Sequence, residues 1–156
     1  MNPSLFMKYT KIRLQSGQAV VVTVGGESMA PVLYNGDQVR VICQDDYTVG
    51  DILMYDYKEE GALLHRLLEI RDGHFFCKGD NSYRLEEVTE ADIYGVAIAV
   101  VRDGKEVPLV CPEGLPQSSL AVHHHLKELG LNLEALHISE LYQAYKKRYL
   151  SEEENE

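Results

Sequence analysis

The chain has 156 residues, 45% hydrophobic and 26% charged, enough for one domain whose core forms without disulfide or metal staples. Its net charge is −10; four acids fall in the last six residues, and fifteen basic against twenty-one acidic residues leave −6 over residues 1–150. That balance argues against a nucleic-acid partner, which needs clustered Lys and Arg, and three scattered cysteines (Cys43, Cys77, Cys111) without a C-x-x-C pair read as reduced thiols, with no zinc site and no cofactor.

Residues 1–17 read as an N-terminal arm. They hold neither the apolar core of a secretory signal nor the roughly 18 to 20 apolar residues of a bilayer span, so no transmembrane segment and a cytoplasmic location are expected. From 18 to 116 the pattern is strands and tight turns. Val20 to Val24 is β-branched apart from its two-glycine exit, and Asn35-Gly36-Asp37 turns the chain into the alternating Gln38 to Ile42. Ile52 to Tyr57 follows a turn at Val49-Gly50-Asp51. Ala62 to Ile70 is a long apolar run, Asp72-Gly73 is a hairpin turn, and His74 to Cys77 returns. Tyr94 to Val101 and Glu106 to Val110 form a second hairpin through Asp103-Gly104. The expected fold is mainly β: a curved antiparallel sheet. After the Pro/Gly connector at 111–116, residues 117–150 read as a helical appendage, with helices over Leu120 to Leu129 and Leu133 to Leu150, and 151–156 as a disordered acidic tail.

Three residues stand out as candidates for chemistry, each with an ordinary alternative. Ser28 sits in Gly25-Gly26-Glu27-Ser28-Met29-Ala30-Pro31. It could be a turn serine, but the glycines allow close backbone approach and Pro31 stiffens the exit, which suits a hydroxyl held for use. His65 and Arg66 are the polar interruption of Leu63 to Leu68. A histidine there is most simply a satisfied core residue; a hydroxyl and a carboxylate would satisfy both its nitrogens. Asp80, in Lys78-Gly79-Asp80-Asn81, is either a plain turn residue or an acid that the hairpin returns toward His65. His123-His124-His125 cannot converge on one metal from consecutive helical positions, and Lys146-Lys147-Arg148 is a short basic patch beside acids.

With those residues in place, the chain resembles the type I signal peptidases, most closely their endoplasmic-reticulum and archaeal branch. The matching stretches are Ser28-Met29-x-Pro31, Gly36-Asp37, Gly50-Asp51-Ile52, His65-Arg66, Lys78-Gly79-Asp80-Asn81 and Gly95, spread over residues 24–101, about half the chain. The resemblance implies the curved β-fold shared with LexA-like self-cleaving repressors, followed here by C-terminal α-helices. It implies Ser28 as nucleophile and His65 as base, where bacterial signal peptidases and the repressors use a lysine. Asp80 would orient His65, with Glu86 as the alternative third acid. Gly26 stands where many signal peptidases carry an oxyanion-binding hydroxyl, so backbone N–H groups would take that task, and Gly26 and Met29 would border the substrate.

The function expected is a serine endopeptidase with Ser-His-acid catalysis, soluble and without a metal, that removes a leader or propeptide from a peptide or protein precursor, with small residues before the cut. Activity would fall as the pH drops through about 6.5, where an unperturbed histidine protonates. The rival reading is a weak or inactive peptide-binding module that uses the same groove by strand addition. A self-cleaving repressor is disfavoured by the acidic charge and by the roughly 17 residues ahead of the first strand, too few for a helix-turn-helix domain. The C-terminal helices could dock a protein partner.

Overall fold

The computed structural model describes residues 3–133. Helix α1 (Pro3–Gln15) leads into strands β1 (Val20–Thr23), β2 (Gln38–Ile42), β3 (Ile52–Asp56), β4 (Ala62–Arg71), β5 (His74–Lys78), β6 (Glu86–Thr89), β7 (Ile93–Arg102) and β8 (Lys105–Pro108), and helix α2 (Leu115–Glu128) follows. Every strand pairing is antiparallel, in the order β1-β2-β7-β3-β4-β5-β6, with β8 added alongside β7. The fold is the mainly β, curled antiparallel sheet expected.

The curl comes from two ten-residue strands that change neighbours along their length. The first half of β4 pairs with β3, Ala62 opposite Asp56 through Arg66 opposite Ile52; from Arg66 onward β4 pairs with β5, across a bulge between Leu67 and Glu69. Bulges bend a strand and raise its twist, so β4 turns a corner there. β7 does the same, passing from β3 to β8 on one side while β2 runs along the other. Gly95 lies at that crowded passage: a Cβ on it would stand 2.4 Å from the Ile42 carbonyl oxygen, so no larger residue fits without moving a strand.

Strand β3 is buried on both faces, which is why its sequence is a nearly continuous apolar run. Ile52 and Met54 join one cluster with Val22, Val39, Val41 and Val100; Leu53 and Tyr55 join another with Leu67, Cys77, Val88 and Val96. α1 lies against β1 and β7 and buries Leu14 and Thr10. The N-terminal stretch expected as an arm is therefore a packed helix. α2 begins at Leu115, five residues before the predicted start, because the Pro112 carbonyl and the left-handed Gly114 set up its first turn. It packs on β4 and forms a small third cluster from Val122, Leu126 and Tyr83. The second predicted helix beyond its first residue, Leu133, the basic patch at 146–148 and the acidic tail lie outside the described residues.

Candidate active site

Ser28 lies in the loop joining β1 to β2, and that loop is pinned from three directions. The Asn35 side chain accepts the Gly26 N–H at 2.9 Å, while the Val24 N–H donates to Asp37 and its carbonyl accepts from Gly36. The turn after β5 closes on it from the far side. The Asn81 N–H donates to the Ser28 carbonyl at 2.8 Å, the Asn81 side-chain amide donates to the Glu27 carbonyl at 3.1 Å, and the Asp80 N–H lies 3.4 Å from the Met29 sulfur. Gly79 makes this grip possible. A Cβ there would be 2.5 Å from the Ser28 carbonyl oxygen and 3.2 Å from a His65 ring carbon, so a side chain would drive the two apart. Met29 is buried beneath the loop, and Gly26 takes the positive φ of 79° that turns the chain toward Ser28.

His65 reaches Ser28 from β4, with 2.9 Å between Ser28 Oγ and His65 Nε2. His65 pairs with Leu53 across the strands, so it shares a face with Leu53 and Tyr55. On the same side, Leu67 opposes Cys77 and Cys77 opposes Glu86. This row, which crosses β4, β5 and β6 on a curled sheet, delivers Glu86 to the other nitrogen of the imidazole: His65 Nδ1 is 2.6 Å from Glu86 Oε1. Glu86 is 1% exposed. Its Oε1 also accepts the Tyr55 hydroxyl, and its Oε2 accepts both the Nε of Arg84, at 2.9 Å, and a terminal nitrogen of the same guanidinium. Burial pushes the Glu86 carboxyl up, but the hydrogen bonds and charge of His65, with the bonds from Tyr55 and Arg84, outweigh that and hold it below the ordinary carboxyl range. An ionised Glu86 can only accept, so Nδ1 carries the proton. Nε2 is then the free lone pair, and Ser28 donates to it.

Asp80 occupies a different place from the one expected. It does not meet His65; Arg66 holds both its oxygens, Nε to Oδ1 at 3.0 Å and a terminal nitrogen to Oδ2 at 2.8 Å. Strand alternation explains this. Arg66, one residue from His65, points to the opposite face, and it opposes Lys78 in the ladder, two residues before Asp80. Arg66 also donates to the Gly50 carbonyl at 2.8 Å, so the pair ties together three of the sequence stretches that suggested a family. The acid brought to the imidazole is Glu86. Tyr55 and Arg84 were not singled out in the sequence; the spacing Arg84-x-Glu86, two residues apart on one side of an extended segment, is the signal that could have drawn attention to the second.

Two lysines invite comparison with the lysine base of related peptidases. Lys78 is buried, which lowers its ammonium pKa to about 8, but it donates to the Ser82 carbonyl and lies 5.2 Å from the Tyr83 ring. Lys58 is exposed, over the Tyr57 ring. The hydroxyl of Ser28 is taken by His65. Of the three histidines in α2, His123 turns inward onto the Tyr83 carbonyl at 2.6 Å while His124 is exposed, and no group of residues fit to hold a metal occurs among the described residues.

A groove of about 550 Å³ opens beside Ser28 and His65, walled by Val22, Val24, Met29, Met54 and Leu64, with Met7 of α1 at its side. Its two long walls are strand edges. Among the described residues, β1 ends the sheet, and the first half of β4 is paired on one side alone, since β5 joins it only at Arg66.

A family model described as peptidase S24-like matches residues 4–99. The chain belongs to the peptidase S24-like family. The match covers α1, the Ser28 loop, both strands that flank the groove and Glu86. Membership supports a serine-peptidase type of hydrolase and places the resemblance at the level of the fold shared by LexA-like and signal peptidases. Comparison with curated proteins gives no match. No helix among the described residues is long and apolar enough to cross a membrane.

Proposed function

We propose that this S24-like chain is a soluble, cytoplasmic serine endopeptidase in which Ser28, His65 and Glu86 are the catalytic residues, and that it trims a leader or propeptide from a peptide precursor. The observation that carries the reading is the unbroken proton path from Ser28 Oγ through both nitrogens of His65 to Glu86, with steps of 2.9 and 2.6 Å. Those are the separations a hydroxyl, its base and the acid behind it need. A histidine base in place of a lysine is also what favours the reticulum and archaeal branch of signal peptidases.

An extended peptide suits the groove because both walls offer backbone N–H and C=O groups left unpaired among the described residues, and the apolar side chains between them suit small or apolar residues ahead of the cut. Ser28 Oγ attacks the scissile carbonyl carbon as its proton passes to His65 Nε2. The carbonyl oxygen becomes an oxyanion. With Gly26 in place of a hydroxyl-bearing residue, backbone N–H groups of the loop, that of Ser28 among them, are left to stabilise it; one such donor is worth about 2.7 to 4 kcal/mol in the transition state. The C–N bond then breaks, and the imidazolium, held by the Glu86 charge, gives its proton to the leaving amine. A water molecule loses a proton to His65, attacks the acyl-enzyme and releases the new carboxyl end, which restores Ser28.

The test is incubation with a library of peptides bearing small and apolar residues, read by mass spectrometry, alongside the Ser28→Ala protein. Cleavage that depends on Ser28 is expected. Equal cleavage by both proteins would remove the assignment, and binding without cleavage would favour a peptide-holding module.

A further inference from the structure

The carboxylate behind His65 is shared with a cation. Glu86 Oε1 faces His65 and Tyr55, whereas Oε2 is taken wholly by Arg84. Arg84 in turn reaches outward: its terminal nitrogen is 3.0 Å from Glu60 in the turn joining β3 to β4, and its guanidinium lies 5.0 Å from the centre of the Tyr57 ring. The backbone just ahead of Arg84 is fixed. Lys78 donates to the Ser82 carbonyl, and His123 of α2 meets the Tyr83 carbonyl at 2.6 Å while Tyr83 packs on Val122 and Leu126. α2 therefore braces the segment that presents Arg84.

We propose that Arg84 is a positioning residue of the hydrolytic site, one that fixes the Glu86 carboxylate for His65 and offsets its charge so that the pair does not draw in a second proton near neutrality. The proposal rests on the Ser28–His65–Glu86 reading given above. A lone buried carboxylate beside the imidazole would favour imidazolium, a form that cannot accept the Ser28 proton. A guanidinium on the far oxygen makes the ionised-acid, neutral-base state the comfortable one, and it does so for whichever of the two groups would hold the extra proton.

The other groups facing the pair do not supply this balance. Tyr55 from β3 and Cys77 from β5 are both held neutral by burial, which pushes the pKa of each up. Asp80 and Arg66 pair with each other on the opposite face of β4, and Lys78 is spent on the Ser82 carbonyl. Glu60 is separated from Glu86 by Arg84 itself. Glu87, His123 and Lys127 line the hollow outside Arg84.

The test is the pH dependence of the second-order rate at which a fluorophosphonate labels the full-length protein. For Arg84→Gln the acid limb is expected to move up by about one pH unit or more, the usual effect of a charge at close range. Arg84→Lys, which keeps the charge and loses the fork, is expected to bring the limb back toward wild type at a reduced plateau. Should Arg84→Gln fail to fold, Glu60→Gln carries the test, since releasing Arg84 from its second acid moves the limb down. A folded Arg84→Gln protein with a lower plateau and an unmoved limb would mean a merely structural arginine and would overturn the proposal, as would an unmoved or raised limb in Glu60→Gln. Wild-type protein that takes no label at any pH would instead refute the hydrolase reading, and this proposal with it.

Discussion

Replacing Glu86 with glutamine tests the assignment of the third residue more sharply than deleting it would. The carboxylate has two occupied sides: one oxygen for His65 Nδ1 and Tyr55, the other for two nitrogens of Arg84. An amide has one acceptor oxygen, and the cationic fork of Arg84 is the stronger claimant for it. The amide NH2 would then point at Nδ1 and donate. His65 would shift its proton to Nε2 and meet Ser28 as a donor, unable to take the hydroxyl proton. Trapping the wrong tautomer in a serine-protease triad lowers turnover about 10⁴-fold, or roughly 5.5 kcal/mol of barrier. The assay is fluorophosphonate labelling at neutral pH, with the imidazole ¹⁵N shifts of His65 reporting which nitrogen is protonated. Asp80→Asn is the control: it disturbs the Arg66 pair and leaves the imidazole alone, so its folded fraction should label at a rate within about tenfold of wild type. Wild-type rates in Glu86→Gln, or an Asp80→Asn protein that is folded and equally dead, would refute the reasoning.

Further outcomes follow from the packing. Asp80→Ala leaves the Arg66 guanidinium buried without its carboxylate, so chemical denaturation should show a loss of about 3 to 5 kcal/mol, against little loss from cutting the exposed Arg71–Glu69 pair. Gly79→Ala forces a methyl group against the Ser28 carbonyl; it should lower stability by about 1 to 3 kcal/mol and abolish labelling in whatever folds. The folded state holds Glu86 below the ordinary carboxyl range, so the stability this residue contributes is present above about pH 4.5 and is lost as the pH falls through its depressed value; a denaturation series in acid should be flatter for Glu86→Gln. Lys78 carries the opposite sign. Its ammonium is depressed to about 8, the unfolded chain binds more protons above that, and stability attributable to it should rise between pH 8 and 10.5, a rise that Lys78→Met removes.

Much of the sheet was legible because its strands obey period two or are uniformly apolar, and because Asp-Gly and Asn-Gly turns mark the hairpins. The glycines ahead of Ser28 and in Lys78-Gly79-Asp80-Asn81 also signal close backbone approach, and Gly79 does sit between Ser28 and His65. What stayed hidden was strand parity across the corner in β4. Position along the hairpin puts Asp80 near His65, yet it faces Arg66, because His65 and Arg66 point to opposite sides. The sequence does not mark β6 because Glu86-Glu87-Val88-Thr89 opens with two acids, one of which is turned inward against compositional expectation and is tolerated because Arg84, Tyr55 and His65 satisfy it. α1 lacks an acidic N-terminal turn and a strong apolar stripe; Leu14 and Thr10 hold it by packing on the sheet, a tertiary effect that local sequence does not carry.

The most direct measurement is peptide mapping of the fluorophosphonate adduct by mass spectrometry on wild-type and His65→Ala proteins. The proposed site predicts a single adduct on the Ser28 hydroxyl in the wild type and none in the variant. An adduct on another serine, or equal modification of Ser28 without the imidazole, would contradict it.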